Sequence, residues 1–161
     1  MSADAALDPL KQTLRQIHHL HDAAAVLSWD QETFMPPGGG AVRAEQLATL
    51  QTLAHDQFVS PEIESLLGTF VDLSTGTLHS PHASALDESS QALLRETWRD
   101  FSRAKKLPSA FVNQLERECS IAQQVWTEAR KTNDFNGFEF ATDRDTEATR
   151  GGLSGLHGLS L

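Results

Sequence analysis

The chain has a single cysteine, Cys119, so no intrachain disulfide can form and a reducing compartment suits it. No basic-apolar leader opens it and no apolar run reaches about eighteen residues, so neither a signal peptide nor a membrane span is expected. Positive charge is scarce: 13 Lys and Arg face 22 Asp and Glu, a net charge of −9. That balance excludes nucleic acid and anionic membranes as partners, because basic patches dominate binding to both. A cytoplasmic protein is expected. No alternating apolar–polar segment bounded by hairpin turns occurs, which leaves nothing to build a sheet from. Gly38, Gly39 and Gly40 follow no strand and lack the lysine and hydroxyl residue of a phosphate loop, so nucleotide binding is not expected. Ser28, Ser109 and Ser120 have no histidine in a recognisable triad context.

What is present is helical spacing. A length of 161 residues suits one ordinary domain, and 39% apolar residues is slightly low for one. Asp8-Pro9 opens a first amphipathic helix whose stripe is Leu7, Leu10, Leu14, Ile17, His21 and Ala24, flanked by Leu20 and Leu27 and running to Ser28. A second helix is expected from about Val42 to His55, with Leu47, Leu50 and Leu53 inward. Ser60-Pro61 with Glu62 and Glu64 is a strong start signal for a third, burying Ile63, Leu66, Leu67, Phe70 and Val71. Residues 74–84 read as a loop, and Asp87 to Lys106 as a fourth helix. A fifth follows Leu107-Pro108-Ser109 to about Lys131, with Phe111, Val112, Leu115, Cys119, Ala122, Trp126 and Ala129 on one face. The fold class is therefore all-α, about five helices in antiparallel hairpins or a bundle, with an irregular C-terminal tail.

Between the first two helices stands Ser28-Trp29-Asp30-Gln31-Glu32-Thr33-Phe34-Met35-Pro36-Pro37-Gly38-Gly39-Gly40. Pro36 and Pro37 forbid helix continuation, and the glycines free the chain to turn. The plain reading is a rigid helix–helix corner; the alternative is a functional loop. Asp30 and Glu32 could form an acid–base pair, but the preferred role is hydrogen bonding around the corner, with Arg43 as a further partner.

The Trp-Asp-Gln-Glu-Thr-x-Met-Pro-Pro-Gly-Gly run, followed by Arg43, Ala44 and Leu47, resembles the start of the carboxypeptidase Taq family. The helix opened by Leu107-Pro108, carrying Ser120, Ala122, Trp126, Ala129 and Arg130, and then Asn133-Asp134-Phe135-x-x-Phe138, resemble a second stretch of that family. The two motifs occur in the right order, and the resemblance covers about residues 7–139. It implies a largely helical, metal-dependent enzyme, usually a homodimer, that removes residues from peptide C-termini with a divalent metal of zinc or cobalt type. It also implies a supporting role at the substrate groove for the corner residues Trp29, Asp30, Glu32 and Arg43. The family's His-Glu-x-x-His helix, whose histidines bind the metal while the glutamate acts as base, is absent from this chain. The expectation is an N-terminal part of such an enzyme, inactive by itself, with no catalytic residue, metal ligand or cofactor of its own. The alternative is a non-enzymatic helical interaction or self-association module, since losing the catalytic half should expose apolar helix faces.

The resemblance sets a boundary: 1–139 as the helical region and 140–161 as a tail. Gly151, Gly152, Gly155 and Gly158 interleave there with Leu153, Leu156, Leu159 and Leu161, a pattern of neither helix nor strand. Codons compatible with Arg150 to Leu161, read from each second base, permit Glu-Glu-Ala-x-Leu-Gly-Tyr-x-x-x-Pro-Tyr, similar to what the family places there. An out-of-frame, disordered terminus is the resulting hypothesis, and an in-frame DNA sequence with no nearby insertion or deletion would sink it.

Other clusters read more plainly as surface. His18, His19, His21 and Asp22 cannot all converge on one ion from a single helical turn, and His79-Ser80-Pro81-His82 offers two ligands in a loop. Glu116, Arg117, Glu118, Arg130 and Lys131 read as a solvated charged face. Trp98 and Trp126 read as core or interface anchors.

Overall fold

The computed structural model describes residues 3–79 and 83–134. The expectation for the tail from residue 140 lies outside them, as do Phe138 and His82.

The described chain is all-α, with five α-helices: α1 (Ala3–Thr33), α2 (Gly40–Phe58), α3 (Pro61–Gly68), α4 (Glu88–Ala104) and α5 (Ser109–Thr132). A 3-10 turn spans Ala83–Ala85, and Val71 and Leu78 form one isolated antiparallel bridge. The described residues gather into two compact bodies, one of residues 3–23 and 52–109, the other of residues 24–51 and 110–134.

In the first body the core follows from the apolar spacing. Leu7, Leu10 and Ile17 of α1 pack with Ala54 of α2, Ile63 and Leu67 of α3, Phe70, Val71, Leu86, and Leu94 and Phe101 of α4. His21, expected on the α1 stripe, is exposed, and Thr13 is buried with its hydroxyl donating to the Pro9 carbonyl at 3.1 Å. On α2 the expected inward Leu53 is exposed while Ala54 is buried; the small alanine lets neighbouring backbones approach closely.

The expected start at Asp8-Pro9 is not the one used: α1 begins at Ala3 and carries Pro9 inside it. The start signal at Ser60-Pro61 acts as its chemistry dictates. Ser60 caps α3 by accepting from the Ile63 N–H at 3.3 Å, with Pro61 in the first turn. Asp87 caps α4, accepting from the Ser90 N–H at 2.8 Å and the Ser89 hydroxyl at 2.9 Å. Hydrogen bonds from the Ser90 side chain and backbone, then from Ser89, hold its carboxyl down to about 2.

The second body buries little bulk. Its core residues are Ala24, Ala44, Leu47, Ala48 and Ser120. On α5 the expected apolar face is turned: Leu115, Cys119 and Trp126 are exposed, and Ser120 faces inward. The reason is polar. Ser120 is held to Gln31 of α1, so the inward stripe of α5 is set by hydrogen bonds rather than by its leucines and tryptophan.

Candidate functional site

The corner begins later than the motif does. α1 runs through Trp29, Asp30 and Glu32 to Thr33, because nothing before Pro36 obliges it to stop. Its last turn closes on the Asp30 carbonyl, which accepts from the Phe34 N–H at 3.0 Å and the Met35 N–H at 2.9 Å. A turn from Pro36 to Gly39, closed by the Gly39 N–H on the Pro36 carbonyl at 2.8 Å, leads into α2.

Arg43 reaches back across that corner. Its Nη2 lies 2.7 Å from Asp30 Oδ2, and its Nη1 donates to the Leu27 carbonyl. The Arg43 side chain is 13% exposed and that of Asp30 35%, so the pair is better shielded than an ordinary surface bridge. α1 has no basic residue in its own last turn, so Arg43 supplies from α2 the positive charge that a helix C-terminus favours. Asp30 and Glu32 point to different faces of the helix and do not meet, as expected for residues two apart. Trp29 is exposed and packs edge-to-face on exposed Phe34, ring centroids 5.6 Å apart. Of the four corner residues, Asp30 and Arg43 are brought together; Trp29 and Glu32 stand on other faces.

The second body carries a cleft of about 650 Å³ lined by Gln31, Glu32, Met35 and Pro37 on one side and residues of α5 on the other, Trp126, Arg130 and Lys131 among them. It is built on a polar contact: Gln31 Nε2 donates to the Ser120 carbonyl at 3.0 Å, and the Ser120 hydroxyl donates to Gln31 Oε1 at 3.0 Å. Nearby, a Cβ added to Gly40 would lie 1.9 Å from Gln124 Oε1, which shows how closely α5 approaches the start of α2. The Arg130 guanidinium covers the Trp126 ring at 5.3 Å. Arg117, grouped in the sequence with a solvated face, pairs there with the exposed Glu45 of α2 at 2.8 Å. Hydrophobic spacing could not reveal this cleft. Its signal is the coincidence that the two motif stretches, far apart in the chain, supply both walls.

Among the described residues no side-chain cluster has the makings of a metal centre. His18 Nε2 and His19 Nδ1 lie 3.5 and 3.8 Å from the two Asp22 oxygens, on side chains more than half exposed. Among the described residues no group of three or more His, Cys, Asp or Glu is placed to hold an ion. These residues do not fit the divalent metal implied by the resemblance, and no chemical step is derived through one. No helix among them is long and apolar enough to cross a membrane.

Comparison with known proteins agrees with both motif stretches. The family described as Carboxypeptidase Taq (M32) metallopeptidase matches residues 9–150. Thermostable carboxypeptidase 1 of Thermus thermophilus is 30% identical over 138 residues, covering 86% of this chain and 26% of that protein. Thermostable carboxypeptidase 1 of Pyrococcus furiosus is 28% identical over 135 residues, covering 82% of this chain and 25% of that protein. A crystal structure described as BsuCP shares the fold, with a TM-score of 0.76 at 23% identity over 85% of this chain and 26% of that one. A structure described as that of CHT superposes with a TM-score of 0.57 at 34% identity, again over 85% of this chain and 26% of that one. The chain thus spans about a quarter of the length of the curated relatives it matches, and it belongs to the carboxypeptidase Taq (M32) metallopeptidase family.

Proposed function

We propose that the chain is the N-terminal helical region of a metallocarboxypeptidase that, when whole, releases C-terminal residues from peptides with a divalent metal of zinc or cobalt type. The family match over residues 9–150 carries this reading. By itself the chain is inactive, since its sequence contains no His-Glu-x-x-His and so lacks both the metal ligands and the general base. Its contribution to the parent is architectural: Arg43 and Asp30 fix the end of α1 against the start of α2, which positions Trp29 and Glu32 beside the groove. A reducing, cytoplasmic setting belongs to the same reading. Purified chain incubated with Zn²⁺ or Co²⁺ and blocked dipeptides is expected to release no amino acid above background. Turnover that a chelator removes and metal restores would refute it.

A second reading, a helical self-association module, is favoured by the exposed Trp29–Phe34 pair. An edge-to-face aromatic pair left in water at a helix end is a common anchor for protein contacts. Sedimentation velocity is then expected to show a concentration-dependent dimer that Trp29→Ser with Phe34→Ser abolishes; a monomer at every concentration rejects it.

A further inference from the structure

Gln31 and Ser120, 89 positions apart, bring the two motif stretches together at the cleft between the corner and α5. Its volume of about 650 Å³ lies within the range of small-ligand sites. Its charges are divided. Glu32 stands at the carboxyl end of α1, where the helix adds roughly half a negative charge. Arg130 and Lys131 stand on α5; Lys131 lies 3.9 Å from Glu128, the outer limit of an ion pair. Met35, Pro37 and the Trp126 ring give the same cleft an apolar surface.

Such a site favours a ligand that carries both charges. A nucleotide or other polyanion would set several negative charges against Glu32, Glu128 and two helix carboxyl ends. A purely apolar ligand would leave the charged groups without partners while removing them from water. We propose that the cleft binds short peptides with free ends, the ammonium facing Glu32, the carboxylate facing Arg130 and Lys131, and an apolar side chain against Trp126 and Met35. Two or three residues fit within the available volume. The carboxylate meets two full positive charges, which outweigh the half charge of the α5 end, and Arg130 can offer it a forked pair of donors. The choice of peptide rests on the peptidase reading, but binding here needs neither metal nor turnover. A failed activity assay and a failed binding assay therefore report on different statements.

The test is a titration of the full ¹⁵N-labelled chain with the tripeptide Ala-Leu-Ala, followed by the indole N–H resonances of Trp29, Trp98 and Trp126. Saturable movement of the Trp126 resonance is expected with a Kd in the millimolar range, about what so small a ligand can reach. Trp98, whose indole donates to the Leu73 carbonyl in the first body, should stay still. Amidating the peptide's carboxyl end should weaken binding about tenfold, the scale of one charge-assisted contact. Arg130→Gln should weaken the free peptide similarly and reduce the effect of amidation to the share left to Lys131, while Glu32→Gln should abolish the effect of acetylating the amino end. Both substitutions lie at exposed positions, and unchanged far-UV circular dichroism would show that the fold is kept. An immobile Trp126 resonance at about 20 mM peptide, well above the expected Kd, overturns the proposal. So does binding indifferent to amidation and to Arg130→Gln.

Discussion

Replacing Phe70 with alanine is expected to lower stability by about 3–5 kcal/mol, the usual loss when a fully buried phenylalanine is truncated. Phe70 is 1% exposed and lies just beyond α3, within a cluster drawn from α1, α2, α3 and α4. Its backbone is fixed on both sides: the N–H donates to the Leu67 carbonyl at 3.0 Å, and the carbonyl accepts from the His79 N–H at 2.7 Å. A residue so held cannot move to fill the void, so the cavity term adds to the lost transfer energy. In a body of this size each kcal/mol shifts Tm by about 4–8 °C, so a fall of about 12 °C or more is expected by circular dichroism. A loss below about 1 kcal/mol would mean that the surrounding side chains collapse into the space and that Phe70 does not anchor this core.

The core of the first body was largely legible in the sequence, and the physical reason is its chemistry. Of the five side chains expected inside from helical spacing and a strong start signal, Ile63, Leu67, Phe70 and Val71 are buried and Leu66 is half-buried, although Phe70 and Val71 lie beyond the end of α3. Leu53 and His21 were misplaced because a periodic stripe does not say how wide the buried sector is. The end of α1 was set too early, although Pro36 and Pro37 already marked the true limit. A tryptophan and two acids next to glycines look like a loop, but a helix tolerates all of them.

The second body was far less legible. Its organising contacts are polar, and two of them are distant in sequence: Gln31 with Ser120, Arg43 with Asp30 across the corner, Arg117 with Glu45. None leaves a hydrophobic period. A scan for apolar faces on α5 selects Leu115 and Trp126, which are exposed, and passes over Ser120, which is buried. Arg43 was expected only as a further partner of Asp30 and Glu32 around the corner, and the structure pairs it with Asp30. The cleft was not foreseen, since its walls become neighbours only when α5 lies against the corner.

The second large effect is expected at Gly76. This residue closes the loop after α3 with φ at 77°, a left-handed conformation that costs an ordinary side chain about 1–2 kcal/mol. Its N–H donates to the Asp72 carbonyl at 2.8 Å, while the Asp72 N–H donates to the Thr77 carbonyl at 2.8 Å. The Asp72 carboxyl gathers the Ser74 hydroxyl and N–H and the Thr75 N–H, which hold it below the usual carboxylate range and fix the loop's shape. A Cβ at Gly76 would lie 2.5 Å from two carbons of the Trp98 ring. That ring cannot retreat cheaply, because it packs on the core and its N–H is tied to Leu73 at 3.0 Å. Overpacking against a fixed ring adds about 1–3 kcal/mol. Gly76→Ala should therefore cost about 2–5 kcal/mol in all. The two causes are separable. In a Trp98→Ala background the ring is gone, and the same glycine substitution should cost only the backbone share, about 1–2 kcal/mol. An equal cost in both backgrounds would show that the indole does not press on this glycine, and that the loop's shape is held by Asp72 alone.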